Sequence, residues 1–110
     1  MSEAVVIDTL RSLANGSISG SYAAVGTALT SPCRIICFTN NTDKDMLFSD
    51  DGINDKLFVA QGAFKLFDLT TNKMATDGFF AIRSGTQFYV KQGAAPSSGS
   101  VYIEVIYGAQ

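Results

Sequence analysis

The sequence predicts an all-β fold, a small antiparallel β-sandwich or jelly roll of about eight strands. Three observations carry that expectation. Apolar and polar residues alternate with little interruption from Ser17 to Tyr107, which is the period of a strand half-buried in a sheet. Gly, Asn, Asp or Pro interrupt the alternation every ~8–12 residues, a spacing typical of sandwiches and barrels. Strand-like runs follow one another without intervening helical segments, which argues against a parallel sheet. At 110 residues the chain makes one domain that buries roughly two-thirds of its unfolded surface, enough for a core without staples.

Residues 1–15 read as an N-terminal arm or short element, and residues 16–110 as a single sandwich domain. In the first segment Val5, Val6, Leu10, Leu13 and Ala14 fit a helix face, with Asp8 as a cap and Asn15-Gly16 as a stop, and they fit a strand or loose arm as well. Ser17, Ser19 and Ser21 alternate with Ile18, Gly20 and Tyr22, which predicts a strand with one small-polar face ending near Gly26. Pro32 opens the next element. Cys33 to Phe38 is apolar on both faces except at Arg34, as in a central strand covered on both sides. The Asn40–Asp43 turn should then return Met46-Leu47-Phe48 as its hairpin partner. Ser49–Gly52 is a second turn, with Gly52 free to supply positive φ.

Lys56–Ala60 and Ala63–Leu69 are the next strands. In the latter, Phe64, Leu66 and Asp68 share one face, and Lys65, Phe67 and Leu69 the other. Residues 70–78 read as a polar loop. Phe79–Arg83 and Gln87–Lys91 flank a Ser84-Gly85 turn, and residues 92–99 form a Gly/Ala/Pro/Ser loop. In the closing strand Val101, Ile103, Val105 and Tyr107 point one way, Tyr102, Glu104 and Ile106 the other. That second face is too apolar for open water and implies a neighbour. Composition agrees: 46% of residues are hydrophobic and only 16% charged, with a mean hydropathy of +0.18, so assembly with other subunits is expected. Tyr89, Tyr102 and Ile106 are the candidate interface anchors.

The chemistry the sequence excludes is broad. It contains no histidine, the commonest general base and metal ligand, and the chain is expected to be no enzyme. The eight basic and ten acidic residues give a net charge of −2, and the basic residues are scattered singly, so nucleic acid is not an expected partner. No apolar run approaches the ~18 residues of a membrane span, and Met1-Ser2-Glu3 lacks the character of a signal peptide. Asn15-Gly16-Ser17 and Asn40-Asn41-Thr42 match glycosylation sequons and read as turns. Cys33 and Cys37 lie about 13 Å apart if both are in one strand, beyond disulfide reach, and are expected as free thiols. Two Cys without a His or a further Cys pair cannot build a zinc site. Asp43, Asp45, Asp50, Asp51 and Asp55 cluster in residues 43–55; they read as turn formers, with a calcium site as the weaker alternative. No cofactor is expected.

The segment Arg34 to Gly52 (RIICFTNNTDKDMLFSDDG) is followed by Val59–Gly62 (VAQG), Phe67–Lys73 (FDLTTNK), Phe88–Lys91 (FYVK) and Gly99–Ile103 (GSVYI). With the upstream Tyr22 to Gly26 strand, these turn-and-strand motifs resemble the small β-sandwich structural proteins of tailed bacteriophages over roughly residues 10–108. The resemblance implies a non-enzymatic virion protein, present in many copies at the head–tail junction, collar or tail and assembled in the host cytoplasm. It implies as partners other virion proteins and copies of itself as a homo-oligomer, with neither nucleic acid nor membrane contacted. The family carries no catalytic residues, so it transfers none. Two other roles are compatible with the residues: a capsid decoration (cement) protein, and a receptor- or carbohydrate-binding module using the acidic turns.

Overall fold

The computed structural model of the chain describes residues 5–69 and 82–108. Among these there is no α-helix, and nine strands form two antiparallel sheets packed face to face as a small β-sandwich. The strands are β1 (Val5–Ile7), β2 (Arg11–Ala14), β3 (Ala23–Ala24), β4 (Cys33–Thr42), β5 (Met46–Ser49), β6 (Leu57–Val59), β7 (Phe64–Asp68), β8 (Tyr89–Gln92) and β9 (Gly99–Gly108). One sheet runs β1-β9-β4-β7, with β2 also on β9; the other runs β3-β8-β5-β6.

The two ten-residue strands β4 and β9 form the spine of the first sheet, registered from Cys33↔Tyr107 to Thr42↔Gly99. Their apolar residues repeat every second position, so Phe38, Val101, Ile103 and Val105 all turn inward and are buried. The register shifts between Cys33 and Ile35. This bulge changes the phase of β4, so Cys33 and Ile36 are both buried while Cys37 is turned outward. Both cysteines are free. The N-terminal segment is extended along the far side of β9: Val5–Ile7 pairs with Gly108–Ile106, and Arg11–Ala14 with Ile103–Ser100.

Three expected elements form differently. Asn40–Thr42, expected within a turn, instead end β4, where they pair with Val101, Ser100 and Gly99. Met46-Leu47-Phe48 does not return on β4 as a hairpin partner. Both sides of β4 are occupied, by β9 and β7, and the chain crosses after Thr42 to the opposite sheet, where β5 pairs with β6 and β8. The alternating serines of residues 17–22 do not extend a strand either. Residues Asn15–Ser17 form a 3₁₀ turn, and the Ser19 hydroxyl accepts from the Ser21 amide at 3.2 Å and donates to the Ser21 carbonyl at 3.4 Å. Short polar side chains that bond nearby backbone compete with sheet pairing, and only Ala23–Ala24 joins β8. The expected loop 70–78 and residues 79–81 of the next expected strand lie outside the described residues; Ile82 bridges Cys33.

The core is centred on Phe38. Its ring meets Phe48 and Phe88 at 5.3 Å and Phe67 at 6.1 Å, all edge to face, the orientation aromatic quadrupoles favour. One charge joins the interior. Arg11 is only 4% exposed, pairs with Asp8 at 3.1 Å, and donates from Nε to the Thr27 carbonyl at 2.7 Å and from Nη2 to the Ala28 carbonyl at 3.3 Å. A buried guanidinium needs such a set of acceptors, and this one tethers the chain after Gly26 to β2.

Candidate functional site

The acidic residues of positions 43–55 are distributed over separate turns, each with its own partner. Asp43 accepts from the Ser97 amide and hydroxyl, and Asp45 from the Gln61 amide at 3.0 Å. Asp50 pairs with Lys56 at 3.0 Å. Asp51 accepts from the Ser49 hydroxyl at 2.7 Å and from the amides of Ile53 and Asn54. Asp55 accepts from the Tyr22 hydroxyl at 2.6 Å and pairs with Lys91 at 2.9 Å, whose ammonium also sits 4.9 Å from the Tyr22 ring centre. Among the described residues no three His, Cys, Asp or Glu side chains converge to hold a metal ion.

These partners act on protonation in one sense. The Ser49 hydroxyl and the Asn54 and Ile53 amides hold the Asp51 carboxyl well below the usual carboxylate range. Ser97 lowers Asp43, and the Tyr22 hydroxyl, then Lys91, lower Asp55. Hydrogen bonding to Asp50 raises Lys56. Burial and the bond to Asp55 push the Tyr22 phenol up, and burial raises the Cys33 thiol. Every one of these shifts strengthens the form already present at neutral pH. A general acid or base is tuned the other way, toward titration near the working pH.

A pH dependence follows. A carboxylate with a lowered folded-state pKa contributes stability above its unfolded value, near 4, which is lost as pH falls through the folded value. A phenol with a raised pKa contributes stability below about 10 that is lost as pH rises further. The melting temperature is therefore expected to fall below about pH 4 and again above about pH 10. Asp51→Asn should flatten the acid limb and Tyr22→Phe the alkaline one, as read by thermal melts across pH.

Two cavities flank this region. An apolar one of about 280 Å³ lies between the sheets, walled by Phe38, Leu57, Phe67, Leu69, Ile82 and Phe88, with Ser49, Asp50 and Lys56 supplying its polar lining. A shallow polar groove of about 900 Å³ shares Asp50 and Lys56 and adds Asp51, Arg83, Gln87 and Tyr89. Lys56 is the amine common to both, and its pairing with Asp50 holds it as a cation.

The candidate interface residues fall on two faces. Tyr102 and Ile106 lie half-buried on the outer face of the β4–β9 sheet; Tyr102 stands between Ser12 and Thr39, and Ile106 between Ile7 and Ile35. Tyr89 belongs to the other sheet, opposite Ser49 and Ala24. Its ring lies 3.4 Å from where a Gly52 Cβ would stand, so it packs under the Ser49–Gly52 turn. The structure adds residues to the first face. Cross-strand pairs put Phe64 beside Thr39 and Leu66 beside Cys37, and Phe64, Leu66 and Ile7 are 64%, 57% and 77% exposed. Ile7, Ile106, Ile35, Cys37, Leu66, Phe64 and Tyr102 thus lie on one face across four strands, with Glu104 and Thr39 among them and Asp68 beside Ile35.

Compared with protein-family models, with curated proteins and with solved structures, the chain matches none.

Proposed function

We propose that this chain is a non-enzymatic, multicopy structural component of a tailed-bacteriophage virion, docked at the head–tail junction, collar or tail. The observation that carries the reading is the apolar band on the outer face of the β4–β9 sheet. It stands on a fold whose shifted titratable groups, among the described residues, are all held in their neutral-pH forms, so burial has a surface to act on there while those groups are not tuned for acid–base chemistry. Three of the motifs behind the phage resemblance lend support, because they fall where the described chain turns or starts a spine strand. Asn40 to Asp43 spans the end of β4 and the first residue of the crossing between sheets, Ser49 to Gly52 makes the turn over Tyr89, and Gly99 to Ile103 the start of β9. A small domain with one apolar face is suited to repetition around a symmetric ring or lattice, in which each copy covers the next.

Mass spectrometry of purified particles tests the proposal. The chain is expected among the stoichiometric virion proteins, and its absence overturns the reading. Antibody labelling of the same particles should mark the head–tail region; label spread evenly over the capsid faces would replace docking there by capsid decoration.

A further inference from the structure

We infer that Asn15-Gly16 is a site of spontaneous covalent modification, at which the Asn15 side-chain amide is lost as ammonia and a carboxylate takes its place. The reaction consumes only water and does not depend on the role proposed above. The backbone nitrogen that follows an asparagine is a nucleophile within reach of the side-chain carbonyl carbon, and a following glycine, having no Cβ, lets the two approach. The Gly16 nitrogen bonds to Asn15 Cγ, the Cγ–Nδ2 bond breaks, and ammonia leaves with the proton that the Gly16 nitrogen gives up. Water then opens the five-membered imide. Addition at the side-chain carbonyl gives an aspartate; addition at the main-chain carbonyl gives an isoaspartate, whose backbone runs through the former side chain. Neither step is an oxidation or a reduction.

The fold leaves this pair accessible. Asn15–Ser17 is a single 3₁₀ turn without a buried residue. Gly16 is exposed, and among the described residues its amide makes no hydrogen bond. Beyond its chain neighbours no atom lies within 4 Å of where a Gly16 Cβ would stand. Two hydrogen bonds close the turn: the Ile18 amide donates to the Asn15 carbonyl at 3.1 Å, and Asn15 Nδ2 to the Gly99 carbonyl at 3.0 Å. Both break in a local opening that leaves the sheets formed. The comparable positions are guarded. Asn40 is fully buried, with Nδ2 held by the Lys44 and Val59 carbonyls. Asn41 lies in the β4–β9 ladder and precedes the β-branched Thr42. Asn54 Nδ2 is held by Asp51 at 2.9 Å, and its next residue, Asp55, carries a side chain. Asp51-Gly52 forms the same imide only by losing water from a carboxyl group. There the carboxylate is held ionised by Ser49, Ile53 and Asn54, and the Gly52 nitrogen already donates to the Ser49 hydroxyl at 3.1 Å.

The change acts where β2 ends and β9 begins. A carboxylate cannot donate to the Gly99 carbonyl, so the tie between the 3₁₀ turn and the first residue of β9 is lost, and one negative charge is added to the net −2. The test is peptide mapping by mass spectrometry of the folded full chain, incubated at mildly alkaline pH, where more of the Gly16 amide is deprotonated. The peptide carrying Asn15 should gain about 1 Da, the exchange of NH for O, at least ~10-fold faster than those carrying Asn40, Asn41 or Asn54. Gly16 is not among the glycines with positive φ and has room for a Cβ, so Gly16→Ala should fold as the parent does while slowing the conversion at least ~10-fold. Asn15→Asp, which reproduces one product, should lower the melting temperature by roughly 2–5 °C. Conversion of Asn15 no faster than that of Asn54, or at the same rate in the Gly16→Ala chain, overturns the inference. An Asn15→Asp chain that melts with the parent overturns the loosening of β9 assigned to it.

Discussion

Replacing Asn40 by Asp is expected to destabilise the fold by about 3–5 kcal/mol, the usual cost of an uncompensated buried charge. Asn40 is fully buried and all its polar atoms are engaged. Its amide nitrogen donates to the Lys44 carbonyl at 2.8 Å and to the Val59 carbonyl at 2.9 Å. Its oxygen accepts from the Thr42 amide at 3.0 Å and the Thr42 hydroxyl at 2.6 Å. This one side chain ties the end of β4, the crossing to β5 and the end of β6 together. A carboxylate keeps the two bonds from Thr42 but turns an oxygen toward two carbonyl oxygens, so both donations become repulsions. For a domain of this size the midpoint should drop by roughly 15–25 °C. Asn40→Ala removes the same donations without the charge and should cost about 2 kcal/mol. The introduced carboxyl has a raised folded-state pKa, so the Asp variant recovers stability as pH falls toward 5 and loses it as pH rises. Thermal melts of the two variants at pH 5 and 8 separate these effects: the Ala variant should show no such gain at low pH.

The same corner shows where sequence reading runs out. The spine strands β4 and β9 are legible because each has one continuous buried face, and burial imposes period two. That Met46-Leu47-Phe48 forms a strand is legible for the same reason; which sheet it joins is not. Period fixes the faces of a strand, whereas its neighbours depend on who already occupies β4, and β9 arrives in sequence some fifty residues later. The serines at 17, 19 and 21 alternate as a strand does, but the Ser19 hydroxyl bonds the Ser21 backbone in a local turn that hydropathy does not register. The bulge at Cys33–Ile35 is hidden because the run is apolar on both faces except at Arg34, and one polar residue does not tell a phase change from a break in the pattern.

The outer apolar band divides in the same way. Tyr102 and Ile106 could be picked out because β9 carries an apolar second face beside an apolar first one. Phe64 and Leu66 sit on the face assigned to them from sequence, but an apolar pair there is core or surface according to what covers the sheet, and that is decided by topology. Tyr89, expected among the interface anchors, packs under the Ser49–Gly52 turn on the opposite sheet, a contact that its sequence neighbours do not announce. Arg11 reads as one scattered surface cation; its burial follows from the acceptors Thr27 and Ala28, which only the folded chain after Gly26 brings within reach.

The second large effect is expected at Gly99. Its φ is +83°, in the region L side chains rarely adopt, and a Cβ there would land on the Asn41 carbonyl oxygen while meeting the Thr42 Cα at 3.0 Å. These obstacles are backbone atoms of β4 at the Thr42↔Gly99 pair that opens the β4–β9 ladder, so no side-chain rotation relieves them. The positive φ costs a residue with a Cβ about 1–2 kcal/mol, and forcing apart packed atoms adds roughly 1–3 kcal/mol. Gly99→Ala should therefore lose about 3–4 kcal/mol in urea unfolding. Two other glycines separate the contributions. Gly62 also has positive φ, +73°, but open space around its Cβ position, so Gly62→Ala should cost only the conformational part, about 1–2 kcal/mol. Gly20 has neither strain nor a neighbour within 4 Å, and Gly20→Ala should stabilise by up to about 1 kcal/mol through the unfolded chain. If the Gly99 and Gly62 variants lose the same amount, the approach of β9 to Asn41 is not what selects glycine where the two spine strands meet.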